Sequence, residues 1–128
     1  MTINKLYTFA FHRVSEEFSP AYPPMPPKTF ERIVKFLNRN YLVIPQEELI
    51  ENTKFTSKKK LCVVTFDDAY YDFAQYALPI LEKHKTPAAL HIISNVAQNA
   101  STFWTQRLNK IIESYFLDNQ VIAIGGGV

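Results

Sequence analysis

The chain has 128 residues, of which 47% are hydrophobic and 20% charged, and its formal net charge is +2. These values are typical of one ordinary globular domain and exclude a largely disordered or collagen-like chain. The small net charge also argues against a nucleic-acid-binding protein, which usually presents a clustered basic face. We interpret the single basic run, three lysines at positions 58–60, as a solvated loop.

The cysteine content and the N-terminal residues indicate the cellular compartment of the chain. The only cysteine, Cys62, lies in an apolar run and is expected to be a buried, inert thiol, which excludes a disulfide scaffold. The first residues lack the long apolar region of a signal peptide. No stretch approaches the ~18 uninterrupted apolar residues of a membrane span. The sequence as given therefore predicts a cytoplasmic location and no membrane span.

Hydrophobic periodicity predicts alternating strands and helices along the chain. The predicted elements are a strand at 6–11, a helix from 29 to about 40, a strand at 41–44, a short helix after Pro45, a strand at 61–66, a helix at 71–84, a strand at 88–93, a helix at 103–117 and a strand at 121–124. Pro79 predicts a kink or a late start in the third helix. This alternation is typical of a mainly parallel sheet covered by helices, and we expect a single domain.

Three predicted strands end in polar side chains, and these are His12 and Arg13, Asp67 and Asp68, and Ser94 and Asn95. Because the carboxyl ends of parallel strands meet at one edge of a sheet, a site is expected there. Two adjacent carboxylates at the end of a buried strand repel each other unless a cation joins them. A divalent metal, with one carboxylate as ligand and the other as base, satisfies this requirement. The alternative is an N-cap and first-turn acid of the following helix.

A longer set of motifs surrounds this acidic pair. Residues 65–72 read TFDDAYYD, followed by LPIL at 78–81 and TPAA at 86–89, while FHRV at 11–14 precedes them and FWTQRL at 103–108 follows. This set resembles the polysaccharide deacetylase family, also known as the NodB homology domain or carbohydrate esterase family 4. The family motifs read YHRV, TFDDG, LPIL and PAT, with FWWDRL in one subgroup. The resemblance covers most of residues 6–108.

The resemblance implies a fold and an activity. The fold is a partial or distorted (β/α) barrel of the NodB deacetylase type, with mainly parallel strands. The activity is hydrolysis of N-acetyl groups on amino-sugar oligosaccharides or polysaccharides. By position, Asp67 is implied as the general base that takes a proton from the attacking water, and Asp68 as a metal ligand. A divalent metal, most often zinc, would polarise the acetyl carbonyl. His12 and Asn95 lie on the predicted rim, where they could touch substrate, and His12 could also touch the metal.

Two departures from the family pattern bear on activity. Ala69 stands where the family has glycine, and its Cβ restricts the turn that presents Asp68. The family's second motif, H-x-x-x-H, supplies two further metal ligands, but the three histidines are His12, His84 and His91. We interpret His84 as a helix-end residue and His91 as a strand residue with structural roles. The chain is therefore expected to stop before the second metal motif, to hold an incomplete metal site and to be inactive alone.

Other classes remain open at this point. One is a non-catalytic carbohydrate-binding or scaffold remnant of the same fold. Another is a magnesium-dependent acidic-pair domain, which would need a further aspartate or a lysine at another strand end, and none is evident. A full barrel of the family needs about 200 residues or more, so 128 residues predict an open sheet and a homo-oligomer through its exposed edge. The three glycines at 125–127 predict a loop, a frayed tail or the point at which a longer chain was cut.

Overall fold

Parallel strands form the centre of the fold in the residues that the computed structural model describes, which are 5–17, 19–51, 55–99 and 102–117. In these ranges the strands are β1 (Leu6–Phe11), β2 (Tyr41–Val43), β3 (Lys60–Phe66) and β4 (Ala89–Leu90). The helices are α1 (Pro27–Asn40), α2 (Glu48–Glu51), α3 (Leu78–Lys83), α4 (Ser94–Asn99) and α5 (Trp104–Leu117), with a π-helical segment, Phe73–Ala77, before α3. The predicted strand at 121–124 and the glycines at 125–127 lie outside the described residues.

Strand β3 is the centre of the sheet. It pairs with β1 over its length, from Leu6 opposite Leu61 to Phe11 opposite Phe66. Its other edge pairs with β2 near its start and with β4 at its end, and all pairings are parallel. The predicted mainly parallel sheet is confirmed, with the strand that precedes Asp67 at its centre. The sheet is open, as the length of the chain predicts.

The larger of the two hydrophobic clusters in the described residues lies between one face of the sheet and the helices α1 and α3. Helix α1 begins with proline in its first turn, where a missing backbone N–H costs nothing. Its residues Phe30, Val34 and Leu37 recur at helical spacing and are fully buried. Phe66 of β3 contacts Phe30 with ring centroids 5.5 Å apart. The alternation of β1 and the stripe of α1 thus build one apolar layer.

The helix predicted at 71–84 is irregular near Pro79, as the presence of this proline in the sequence predicts. The π-helical segment Phe73–Ala77 precedes α3, and Pro79 lies in the first turn of α3. Proline lacks a backbone N–H, so a regular i to i−4 hydrogen bond from Pro79 cannot form, and a wider turn accommodates this loss. Phe73, Ala77 and Leu81 nevertheless form a buried face against the core.

The predicted strand at 88–93 is wrong in length. Strand β4 has two residues, and Ser94 and Asn95 begin α4 instead of ending a strand. The cause is tertiary: β4 pairs with Thr65 and Phe66, and β3 ends at Phe66, so the pairing stops there. Serine is also a favoured residue at a helix start.

The chain divides into two compact units. The first contains the residues up to Glu16 and Pro24–Ile93, and thus the whole described sheet. The second contains Glu17–Pro23 and the residues from Ser94 onward. Within the second unit, the Ser19 hydroxyl donates a hydrogen bond of 2.6 Å to Glu113 of α5. The single-domain organisation stays a prediction.

Two sequence-based predictions about individual features have clear outcomes. Cys62 is fully buried, as predicted, and burial raises the pKa of its thiol to about 11, which disfavours the reactive thiolate. Among the helices that the structure describes, none combines the length and the apolar character needed to cross a membrane.

Glu31 joins α1 to the end of α3 and gives the fold a predictable acid response. Its Oε1 lies 2.9 Å from Lys83 Nζ and 2.8 Å from Nε2 of His84, the C-cap of α3. These contacts, that of His84 first, lower the pKa of Glu31 from 4.5 to about 2. The unfolded chain therefore binds this proton more readily, so the stabilisation is complete above pH 4.5 and is lost as the pH falls through about 2.

We expect Glu31→Gln to flatten the loss of stability between pH 5 and pH 2 in urea unfolding, relative to the wild type. The control is Glu47→Gln, which alters an exposed carboxylate outside this contact. Identical pH profiles for the wild type and Glu31→Gln would contradict the assignment.

Candidate functional site

The carboxyl edge of the sheet carries the candidate site. Hydrogen bonding between the strands continues one residue beyond their ends: Asp67 N donates to Phe11 O over 2.9 Å, and His91 N donates to Phe66 O over 2.8 Å. His12, Asp67 and His91, the first residues after β1, β3 and β4, therefore begin their loops side by side. His12 and Asp67 lie at the same edge, as the sequence predicts.

A carboxyl-edge cluster of His12, Gln46, Asp67 and His91 forms there. Asp67 Oδ1 lies 2.8 Å from His91 Nδ1, and Asp67 Oδ2 lies 3.9 Å from His12 Nε2. The second nitrogen of His91, Nε2, lies 3.0 Å from Gln46 Oε1. The side chains of His12, Asp67 and His91 are 43%, 36% and 49% exposed. The carboxylate is thus held by an imidazole while the cluster remains open to solvent.

Two members of this cluster were not predicted as site residues. His91 was predicted to have a structural role within a strand, and this location is wrong because β4 ends at Leu90 and His91 begins the following loop. Gln46 received no prediction. It follows the end of β2 closely, so applying the carboxyl-end rule to that strand as well would have identified it.

The backbone turns sharply after Asp67. Asp68 has φ 69° and Ala69 has φ 48°, both in the left-handed region. Aspartate tolerates this region better than most residues, whereas for alanine it costs roughly 1–2 kcal/mol. Helical residues begin only at Tyr71. The N-cap alternative for the acidic pair is therefore wrong, and the predicted restriction at Ala69 appears as a strained turn.

We expect Ala69→Gly to raise the free energy of unfolding by about 1 kcal/mol, because glycine adopts positive φ without a Cβ clash. Urea unfolding measures the change. The matched control, Ala74→Gly at an exposed helical position, should lower stability by roughly 0.5–1 kcal/mol. A loss of stability in both variants would show that residue 69 does not need a left-handed conformation.

A buried ion pair lies beside the cluster. Arg13 Nε donates a 2.8 Å hydrogen bond to Asp72 Oδ2, and the two side chains are 16% and 10% exposed. The guanidinium also lies 5.3 Å from the centre of the Tyr70 ring. Asp72 Oδ1 is buried and has no hydrogen-bond partner among the described residues. The pair joins the loop that contains His12 to the segment that follows Asp68.

A groove of about 400 Å³ opens beside the cluster, on the sheet face opposite α1. Its floor consists of alternate residues of β1 and β3, and its lining includes Gln46, Asp67 and His91. Sites for small ligands typically have volumes of about 300–1,000 Å³. The groove therefore has the volume of a small-ligand site, and Asp67 is part of its lining.

The described residues do not complete a metal site. Within them, no group of three or more His, Cys, Asp or Glu side chains is placed to hold a metal ion. A catalytic zinc normally has three protein ligands. Asn95 lies in α4 of the second unit, where its Oδ1 accepts a hydrogen bond from Asn99. Of the predicted site residues, the structure thus brings together His12 and Asp67, with Asp68 adjacent in sequence.

Part of the chain matches a known protein family. Residues 54–116 match the family described as polysaccharide deacetylase. Curated protein sequences give no match.

Solved structures share the fold. The chain superimposes on the Streptococcus pyogenes deacetylase PplD in complex with acetate with a TM-score of 0.63 and 24% identity, over 80% of this chain and 47% of that one. It superimposes on IcaB from Ammonifex degensii with a TM-score of 0.58 and 22% identity, over 68% of this chain and 37% of that one. It superimposes on a de-N-acetylase from Aggregatibacter actinomycetemcomitans with a TM-score of 0.57 and 24% identity, over 70% of this chain and 37% of that one.

These matches confirm the family resemblance and the fold class predicted from the sequence, a partial or distorted (β/α) barrel of the NodB deacetylase type with mainly parallel strands, which is present here as an open sheet. The chain spans about half the length of the first of these structures and just over a third of the other two.

Proposed function

Because this chain carries part of a polysaccharide deacetylase domain, we propose that it provides the general base of an enzyme that removes N-acetyl groups from amino-sugar oligosaccharides or polysaccharides. The observation that carries the proposal is the position of Asp67. It follows the central strand of the sheet, borders the groove and has one carboxylate oxygen hydrogen-bonded to His91.

Asp67 has the chemistry that amide hydrolysis requires of a base. Its carboxylate accepts a proton from a water molecule as the water oxygen attacks the acetyl carbon. The C–N bond then breaks, the amino sugar leaves with a proton, and acetate is the second product. His12, 3.9 Å from Asp67 Oδ2, lies where it can contact the substrate. The half-exposed edge leaves room for a polymeric substrate.

Asp68 is proposed as one ligand of a divalent metal, zinc first among the candidates. The family motif supports this assignment, and the position of Asp68 directly after Asp67 is compatible with it. The remaining ligands are proposed to come from the H-x-x-x-H motif of the family.

The test uses a protein that contains residues 1–128 together with that histidine motif. Release of acetate from N-acetylglucosamine oligomers is measured, and zinc content is determined by elemental analysis. Asp67→Asn should lower kcat by about 10²–10⁴-fold and leave the zinc content unchanged. Asp68→Asn should lower both, while Glu82→Gln, an exposed carboxylate of α3, should change neither. Full activity of Asp67→Asn would overturn the proposal, and complete inactivity of the protein would favour the non-catalytic carbohydrate-binding alternative.

Self-association is expected from the open sheet. In the described part of the sheet, β1 has a neighbour on one side, and its Leu6 is 44% exposed. Such an edge pairs readily with another chain. We expect light scattering of residues 1–128 to show dimers or larger species that increase with concentration.

A lysine on the edge strand blunts such pairing, so Leu6→Lys should shift the population toward monomer. Leu78→Lys, at an exposed position of α3, is the control and should have little effect. A wild-type chain that stays monomeric at high concentration would contradict this expectation.

A further inference from the structure

We propose that His91 is a positioning residue for Asp67: it holds one carboxylate oxygen through Nδ1, while Gln46 fixes the opposite nitrogen of the ring. This inference rests on the proposed function, in which Asp67 is the general base. It assigns a role to two residues that the sequence motifs do not include.

The contact between His91 and Asp67 defines which nitrogen carries a hydrogen. The distance from Nδ1 to Oδ1 is 2.8 Å, which is that of a good hydrogen bond. An ionised carboxylate only accepts hydrogen bonds, so Nδ1 must be the donor. The backbone N–H of His91 is bonded to Phe66 O over 2.8 Å, which also fixes the main chain at this point.

Gln46 completes the arrangement from a different loop. Its Oε1 is the atom 3.0 Å from His91 Nε2, and a half-turn of the amide exchanges its oxygen and its nitrogen. In the neutral ring with hydrogen on Nδ1, Nε2 only accepts a hydrogen bond, so the Gln46 amide N–H donates to it. With both nitrogens engaged, the imidazole cannot rotate without losing two hydrogen bonds. Gln46, His91 and Asp67 thus form a line of side chains across the loops that follow β2, β4 and β3.

As a consequence, the two carboxylate oxygens of Asp67 have different surroundings. Oδ1 is occupied by His91, and Oδ2 is the oxygen 3.9 Å from His12. An unrestrained carboxylate rotates and exchanges its oxygens, whereas this one keeps Oδ2 available to receive the proton. Small displacements of a reacting group lower rates by about 10²-fold, so the orientation matters for turnover.

The first test reads the ring directly and needs no activity. Nitrogen NMR of the imidazoles of residues 1–128, at alkaline pH, should show His91 as the Nδ1–H tautomer, whereas an unconstrained side chain favours Nε2–H. Asp67→Ala should return His91 to the Nε2–H form. The control His84→Asn, which alters the contact with Glu31, should leave the His91 signals unchanged. An Nε2–H tautomer in the wild type, or no response to Asp67→Ala, would overturn the proposal.

The second test uses the protein that contains the histidine motif. His91→Ala should lower kcat by about 10–100-fold with little change in KM, because the base is misplaced and substrate binding is not. His91→Asn, whose amide N–H can replace Nδ1–H, should recover most of the loss, and the urea midpoints of both variants should match the wild type. Equal kcat values for wild type and His91→Ala, or equal losses in both variants, would refute the role. If Asp67→Asn stays active, the proposed function fails, and the tautomer measurement still decides the contact.

Discussion

Replacement of Arg13 by methionine is expected to lower the free energy of unfolding by about 3–5 kcal/mol. Asp72 is buried, Arg13 is largely buried, and Arg13 Nε lies 2.8 Å from Asp72 Oδ2. Without the guanidinium, the buried Asp72 carboxylate loses the cation that it contacts, and its Oδ1 already has no hydrogen-bond partner among the described residues. Urea unfolding at neutral pH measures the effect.

Two controls separate loss of the pair from loss of a side chain. Arg39→Met, at an exposed position near the end of α1, should change stability by less than about 0.5 kcal/mol. The double variant Arg13→Met/Asp72→Leu should recover most of the loss, because replacing both partners of a buried pair is often nearly neutral. A double variant as unstable as Arg13→Met would contradict this interpretation.

Residues 1–128 alone are expected to bind zinc weakly and to release no measurable acetate from N-acetylglucosamine oligomers. Three protein ligands are normal for a catalytic zinc, and no such set exists among the described residues. Two missing histidines remove two strong donors. The affinity should therefore fall by far more than the roughly 10–100-fold typical of the loss of an outer partner.

Elemental analysis after dialysis against zinc measures this directly, and the expected content is well below one zinc per chain. Asp68→Asn should make little difference in residues 1–128 but should remove zinc from the protein that contains the histidine motif. Tight, stoichiometric zinc in the shorter chain would show that the ligands are misassigned.

The hydrophobic pattern of the sequence predicted those strands and helices whose residues alternate or recur within the element itself. The strand at 6–11 and the helix through Phe30 and Leu37 carry their own periodicity, and both were predicted closely. The proximity of His12 and Asp67 was predicted because the carboxyl ends of parallel strands lie at the same edge of a sheet. These predictions required no knowledge of which distant residues pack together.

Long-range geometry accounts for what could not be predicted. The length of β4 depends on where β3 ends, so His91 was placed inside a strand although it begins a loop. The burial of Asp72 depends on Arg13, 59 positions away in the chain. Ala69 was recognised as a departure from glycine, but the positive φ of Asp68 was not predicted.

The two neighbouring carboxylates owe their positions to different parts of the molecule. The backbone N–H of Asp67 is hydrogen-bonded to Phe11 O across the sheet, so the position of Asp67 is fixed by the pairing of the strands. Asp68 follows in a left-handed turn and takes its direction from Ala69 and the loop beyond. Changes in that loop can therefore re-orient Asp68 while Asp67 stays in place, so the proposed base and the proposed metal ligand can be adjusted independently although they are adjacent in sequence.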